Sequence, residues 1–148
     1  MTPQAARRAA VLGSPIAHSL SPVLHHAGYA AAGLSNWSYE RIECTADELP
    51  RIVVEAGEKY RGFSVTMPGK FAALEFADEA TQRAVAIGSA NTLVRTETGW
   101  RADNTDCEGL LTALSELTRG ERIHTAVIVG AGGTSRPAMW ALRELGTK

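Results

Sequence analysis

The order in which apolar runs and helical patterns follow one another constrains this chain more than any other feature of its sequence. Residues 9–12 form a short apolar run that ends at a glycine, and residues 126–129 form a second run of the same kind. Between them, apolar side chains at residues 24–34 recur at helical spacing. Strands that alternate with helices predict an α/β fold, and a fully apolar strand is typical of a parallel sheet covered on both faces.

The same reasoning locates the other elements. We predict strands at residues 37–42 and 62–66, a hairpin from residues 91–95 and 100–102, and helices at residues 105–117 and 135–145, with one or two more helices before residue 87. Ser21 is predicted to cap the first helix, with Pro22 at the first helical position.

The stretch 118–122, with the sequence TRGER, is the best candidate for a linker. It predicts an α/β domain over residues 1–119 and the start of a second domain over residues 120–148. The second part would contain one strand, a glycine turn and one helix.

Composition excludes several classes of protein. Lys and Arg total 15, Asp and Glu total 16, and the pI is ≈ 6.4, so a nucleic-acid-binding domain is not expected. No apolar run approaches the roughly 20 residues that span a bilayer, which argues against a membrane protein. The histidines and the two cysteines lack metal-ligand spacing, so no metal site is expected. We interpret Cys44 and Cys107 as reduced thiols of a cytoplasmic protein.

A glycine-rich turn follows the second apolar run and opens the last predicted helix. Its residues are Gly130, Ala131, Gly132, Gly133, Thr134 and Ser135. Such a turn can cradle a pyrophosphate, because glycines allow close backbone approach and a helix N-terminus offers free N–H groups. A purely structural turn is the alternative. A βαβ unit needs roughly 30 residues or more, which exceeds residues 125–148, so we expect either a fragment of a nucleotide-binding domain or a vestigial turn.

Four polar clusters lie at the ends of predicted elements, where α/β proteins place their sites. They are residues 18–22 (HSLSP), 64–70 (SVTMPGK), 89–92 (SANT) and 103–106 (DNTD). Each has a structural alternative, such as a helix-capping Ser21 or a solvent-exposed Lys70. Taken together, their hydroxyl and amide groups suit a small polyol, and Lys70 with Asp106 suits proton transfer.

With the glycine turn, these clusters resemble the motifs of the shikimate dehydrogenase family, in the family's order. The matching blocks are GSPIAHSLSP (13–22), SVTMPGK (64–70), GSANT (88–92), DNTDCEG (103–109) and GAGGTSR (130–136). The resemblance implies a three-layer substrate-binding domain with a mostly parallel sheet, followed by the first strand, turn and helix of a Rossmann-type NADP domain. The implied reaction is the reversible NADPH-dependent reduction of 3-dehydroshikimate to shikimate, in chorismate and aromatic amino-acid biosynthesis.

The resemblance also implies a role for each matched residue. The implied substrate contacts are Ser19, Ser21, Thr66, Lys70, Asn91 and Asp106. Within this set, the two serines match the carboxylate-binding positions, and Lys70 and Asp106 match the catalytic pair. The backbone of residues 130–135 matches the start of the NADP diphosphate site.

Two related functions stay open at this point. A quinate/shikimate dehydrogenase paralogue shares these motifs, although such enzymes often have another residue where Ser21 stands. A non-catalytic quinate- or shikimate-binding regulatory module is also similar, but a sensor needs no acid–base pair. The expected partner is a small-molecule substrate rather than nucleic acid or a membrane, and a homodimer is an expectation at the level of the family.

Overall fold

The computed structural model describes residues 6–147, which form six strands and six α-helices. The strands are β1 (Arg7–Gly13), β2 (Trp37–Glu43), β3 (Tyr60–Val65), β4 (Glu79–Ala80), β5 (Thr92–Arg95) and β6 (Trp100–Asp103). The helices are α1 (Ser21–Ala31), α2 (Leu49–Glu55), α3 (Lys70–Phe76), α4 (Gln82–Ile87), α5 (Asp106–Leu117) and α6 (Ser135–Glu144).

One mostly parallel sheet, in the order β2-β1-β3-β5-β6-β4, contains all six strands. β1 lies parallel to β2 and β3, and β4 lies parallel to β6, whereas β5 is antiparallel to both of its neighbours. The carboxyl ends of β1, β3 and β6 therefore meet at one edge of the sheet. The polar clusters that follow these strands lie at this edge, and the mixed α/β class predicted from the sequence is confirmed.

Helices cover both faces of the sheet and give it three layers. Side chains of α2 and α3 pack on one face, in the larger core, together with the fully buried Ala10 and Leu12 of β1. The alternate residues Ala9 and Val11 face the other side, where Tyr29 of α1 packs against a smaller core. This alternation is the two-residue period of a strand, and it explains why β1 has an uninterrupted apolar sequence.

Gly13 ends β1 where the loop after β3 passes beside it. A Cβ atom at this position would overlap the methyl group of Thr66 and lie 2.9 Å from the carbonyl oxygen of Met67. The backbone N–H of Ser14 donates to that same carbonyl at 3.0 Å. A glycine is therefore required for the ends of β1 and β3 to approach closely, and this approach places Thr66 beside the loop that carries Ser19.

The strand predicted at residues 126–129 is wrong. Residues 121–131 have no regular secondary structure, and Val127 and Val129 are 89% and 97% exposed. A strand is stabilised by its neighbours rather than by apolar sequence alone, and no strand within residues 6–147 pairs with this segment. The predicted glycine turn and the helix that follows it, α6, are present, whereas the strand predicted before the turn is not.

Ser21 does not cap α1, contrary to the prediction. Leu20 takes the N-cap position with helical backbone angles and makes no side-chain capping bond, and the backbone N–H of Ser21 donates to Oγ of Ser19 at 3.3 Å. Ser21 is instead the first helical residue, and its hydroxyl contacts Ser19 rather than the helix backbone. The sequence also does not predict β4, because a strand of two residues carries no periodic pattern.

Candidate active site

A lysine–aspartate pair lies at the edge of the sheet where β3 and β6 end. Lys70 is the first residue of α3 and Asp106 is the first residue of α5. The Lys70 ammonium donates to the Oδ2 atom of Asp106 at 2.6 Å, and the two side chains are 12% and 26% exposed. The charges are thus mostly withdrawn from water but still accessible, which is the environment in which an ion pair can exchange a proton with a bound ligand.

Asn91, immediately before β5, holds the other oxygen of the aspartate. Its Nδ2 atom donates to Oδ1 of Asp106 at 2.8 Å, and its Oδ1 atom accepts from the backbone N–H of Thr105 at 2.9 Å. Both carboxylate oxygens of Asp106 therefore have a fixed donor. Lys70, Asn91 and Asp106, which the sequence predicted from separate motifs, form one connected group.

A buried polar contact supports the turn that precedes Asp106. Asn104 and Ser89 are fully buried, and Nδ2 of Asn104 donates to the carbonyl oxygen of Ser89 at 2.9 Å. Oδ1 of Asn104 accepts from the backbone N–H of Asp106 at 3.2 Å. Because both polar ends of the Asn104 side chain are satisfied without water, this turn has a defined conformation.

Ser19 and Ser21 lie beside one another in the loop after β1 and at the start of α1. The Ser19 hydroxyl donates to Oγ of Ser21 at 3.2 Å. Two charged side chains of β2 hold the loop from outside. Arg41 donates to the carbonyl oxygen of Ser19 at 2.8 Å through Nε, and Glu43 accepts from the Ser14 hydroxyl at 2.6 Å.

Thr66 connects the serine pair to the lysine. Ser19, Ser21 and Thr66 line a cavity of about 240 Å³, and Thr66 and Lys70 line a second cavity of about 560 Å³. Met67 also borders both cavities. Within the described residues no hydrogen bond joins the serine cluster to the lysine cluster, but the two clusters face cavities that share a wall.

The glycine turn closes the larger cavity from the opposite side. Every predicted turn residue except Ala131 lines it. Thr134, the N-cap of α6, accepts a hydrogen bond from the Lys70 ammonium at 3.1 Å. A Cβ atom at Gly133 would lie 3.1 Å from Cδ of Lys70, so the turn packs tightly against the lysine stem. The N-terminus of α6 consequently lies beside the cavity that Lys70 lines.

Neither cysteine lies at the surface of the fold. Both cysteines are free and buried, and burial raises the pKa of the Cys44 thiol to about 11. No group of three metal-ligating side chains occurs within the described part of the chain.

None of the helices within residues 6–147 has the length and apolarity that crossing a membrane requires.

Sequence reasoning missed the charged residues that support the site. Arg41 and Glu43 lie on an edge strand, and Arg83 on α4 binds Asp103 and Glu108. Their partners are distant in sequence and no local motif connects them. In the sequence, the indication of these contacts is that Asp103 and Glu108 lie on either side of Asp106, the predicted catalytic aspartate.

Comparison with known proteins identifies the family. The family model described as the shikimate dehydrogenase substrate binding domain matches residues 11–93. The chain belongs to the shikimate dehydrogenase family. The crystal structure of Mycobacterium tuberculosis shikimate dehydrogenase is 57% identical, with a TM-score of 0.85, over 95% of this chain and 51% of that chain.

Two further members of the shikimate dehydrogenase family show the same extent of similarity. The shikimate dehydrogenase (NADP(+)) of Maricaulis maris is 44% identical over 93% of this chain and 49% of its own length. The Thermus thermophilus shikimate 5-dehydrogenase, solved in complex with NADP(H) and shikimate, is 38% identical with a TM-score of 0.86, over 95% of this chain and 53% of that one. The chain thus spans about half the length of these relatives.

Proposed function

We propose that this chain carries the substrate site and the acid–base pair of an NADP-dependent shikimate dehydrogenase, which interconverts 3-dehydroshikimate and shikimate. The observation that carries the proposal is the 2.6 Å contact between Lys70 and Asp106, in which Lys70 also lines the cavity that the glycine turn closes. Relatives named shikimate dehydrogenase support it, as does the relative solved with NADP(H) and shikimate.

The lysine–aspartate pair supplies the proton chemistry. When the ketone is reduced, the carbonyl oxygen receives a proton from the pair while its carbon receives a hydride. In the reverse direction the pair takes up the proton of the substrate hydroxyl. Because Asp106 is also held by Asn91, the carboxylate stays oriented while the proton moves, so the two groups act as one unit.

The serine loop and Thr66 supply binding. We assign Ser19 and Ser21 to the substrate carboxylate, since paired hydroxyls at the start of a helix offer donors to an anion. Thr66 and Asn91 are assigned to ring hydroxyls. Thr66 borders both cavities, so one small ring can reach the serines and the lysine at once.

The glycine turn has the properties that a cofactor diphosphate needs. A Cβ atom at Gly130 or Gly132 would meet no other atom within 4 Å, so the turn presents open backbone. We assign residues 130–135 to the diphosphate of NADP(H), with the N-terminus of α6 facing its charge. The bound cofactor supplies or accepts the hydride.

We further propose that residues 1–119 form the substrate domain and residues 120–148 begin the cofactor domain.

The cellular location proposed from the sequence is the cytoplasm. Its support is that Cys44 and Cys107 are both free thiols buried in the fold, as expected of a protein in a reducing compartment.

Replacement of Lys70 tests the proposed reaction. In the native polypeptide, Lys70→Ala should lower turnover of shikimate with NADP by about 10²-fold or more, because a positioned acid–base group is worth that much. Calorimetry should show a smaller change in shikimate affinity. Lys59→Ala, at an exposed lysine, is the matched control. Near-normal turnover of Lys70→Ala, or a preference for quinate over shikimate in the parent, would contradict the proposal.

A further inference from the structure

Arg83 of α4 joins the two chain segments that flank Asp106. Its Nη2 and Nε atoms donate to the Asp103 carboxylate at 2.7 and 3.1 Å, and its Nη1 atom donates to Glu108 at 2.6 Å. Asp103 ends β6 and Glu108 lies in the first turn of α5. One guanidinium group therefore connects the end of a strand to the beginning of the next helix.

The Asp103 carboxylate, at the end of β6, is held by further hydrogen bonds. The Asp103 carboxylate also accepts from the Thr81 hydroxyl at 2.7 Å and from the backbone N–H of Asn104 at 2.7 Å. Arg83 is 24% exposed and Asp103 is 23% exposed, so the contact is partly shielded from water. A forked, charge-assisted contact of this kind fixes geometry as well as adding energy.

The contact between Arg83 and Glu108 determines the rotation of α5 about its own axis. Successive residues of an α-helix are turned by about 100°, so Asp106 and Glu108 point about 200° apart around the axis. Arg83 consequently holds one side of the first turn while Lys70 contacts the other side. A rotation of α5 about its axis would break the contact of Glu108 with Arg83 and withdraw the Asp106 carboxylate from Lys70.

We propose that Arg83 is a positioning residue, which fixes the start and the rotation of α5 and so holds the Asp106 carboxylate against the Lys70 ammonium. The inference rests on the proposed function, since it concerns the same lysine–aspartate pair. Arg83 itself contacts neither Lys70 nor Asp106 in the hydrogen bonds and ion pairs of residues 6–147. Its effect on the reaction is therefore transmitted through the backbone of residues 103–108.

A second arginine provides the contrast that separates positioning from simple stabilisation. Arg51 also contacts two carboxylates, Glu48 at 3.8 Å and Glu55 at 2.9 Å. Those contacts lie along α2 and its start, and neither carboxylate belongs to the segment that carries Asp106. Removal of either arginine deletes contacts with two carboxylates, but only the removal of Arg83 frees the segment that carries Asp106.

The experiment measures turnover, shikimate affinity and melting temperature for Arg83→Gln, Arg83→Lys and Arg51→Gln in the native polypeptide. Arg83→Gln should lower turnover per folded molecule by about 10-fold to 100-fold, because a small displacement of a catalytic group has that effect. Shikimate affinity should change far less than turnover. Arg83→Lys should restore part of the turnover, since an ammonium keeps the charge but cannot reproduce the fork. Arg51→Gln should leave turnover unchanged.

A further variant keeps the test decisive if Arg83→Gln does not fold. Glu108→Gln removes only the contact to α5, at a glutamate side chain that is 71% exposed, and it should still lower turnover more than Arg51→Gln does. Turnover of the Arg83 and Glu108 variants equal to that of Arg51→Gln would overturn the inference. If Lys70→Ala and Asp106→Asn also retain turnover, the proposed function fails as well. If those two lose turnover and the Arg83 variants do not, only this inference fails.

Discussion

Two apolar runs of nearly the same composition have opposite environments in this molecule. Residues 9–12 (AAVL) and residues 126–129 (AVIV) are each followed by a glycine. The first run lies inside β1, hydrogen-bonded to β2 and β3 on either side, and Leu12 is fully buried. In the second run, Val129 is 97% exposed. The comparison shows that an apolar sequence gives the capacity to form a strand, whereas neighbouring strands decide whether it forms.

The largest expected difference between the two runs is in stability. Leu12→Ala should lower the free energy of unfolding by about 2–5 kcal/mol, because it leaves a cavity in a closely packed core. Val129→Ala should change it by no more than about 0.5 kcal/mol, as is usual for exposed positions. Urea denaturation followed by circular dichroism measures both. A comparable loss at Val129 would mean that residues 126–129 pack against the rest of the chain in solution.

A smaller difference is expected between the serines that open α1 and α6. Ser21→Ala should weaken shikimate binding by about 1.5–3 kcal/mol, the value of a hydrogen bond to a charged group. Ser135 contacts the carbonyl oxygen of Gly132 at 2.7 Å, so Ser135→Ala should not change shikimate binding in the absence of NADP. Since the Ser21 hydroxyl contacts Ser19 rather than the backbone of α1, Ser21→Ala should also leave the melting temperature nearly unchanged. Calorimetry that finds equal shikimate affinity for both variants would reject the binding role of Ser21.

The smallest effect concerns the dependence of stability on acid, and it separates a carboxylate held at the end of β6 from an exposed one. Burial acts to raise the pKa of Asp103, but hydrogen bonds from Arg83, Thr81 and the Asn104 amide outweigh it and hold this pKa below its ordinary value. The resulting stability is present above the unfolded pKa of about 3.9 and is lost as the pH falls through the lower folded value. Unfolding of Asp103→Asn, followed from pH 6 to about pH 3, should therefore depend less steeply on pH. Asp47→Asn, at an exposed aspartate, is the control, and an equal slope in both variants would contradict the assignment.

Much of the fold was predictable because strands and helices leave periodic patterns. Five of the six strands of residues 6–147 and the hairpin turn were predicted. Pro22 indicated the start of α1 to within one residue, since Ser21 rather than Pro22 is the first helical residue. The failure at residues 126–129 has a physical reason, since pairing partners are not encoded within a run of four residues. The same limit explains β4, whose two residues are stabilised through their pairing with β6.

The site was predictable where its residues fall in motifs, and not where they act at a distance. Lys70, Asn91 and Asp106 do meet in one hydrogen-bonded group, because the strands before Lys70 and Asp106 end at the same edge of the sheet. Arg83 could not be found in this way. Its contact with Asp103 joins residues 20 positions apart, and that contact depends on how α4 lies beside β6. The assigned roles of the site residues remain predictions.

The packing of Gly133 against the stem of Lys70 has a thermodynamic consequence. One residue of the proposed diphosphate loop and one residue of the proposed substrate site pack closely together, so a displacement of either one changes the packing of the other. Under the proposed assignments, a cofactor that shifts this loop changes the affinity for shikimate, and by reciprocity shikimate changes the affinity for the cofactor by the same factor. The absence of a side chain at position 133 therefore brings the two proposed sites close enough to be coupled, although their ligands need not touch this residue.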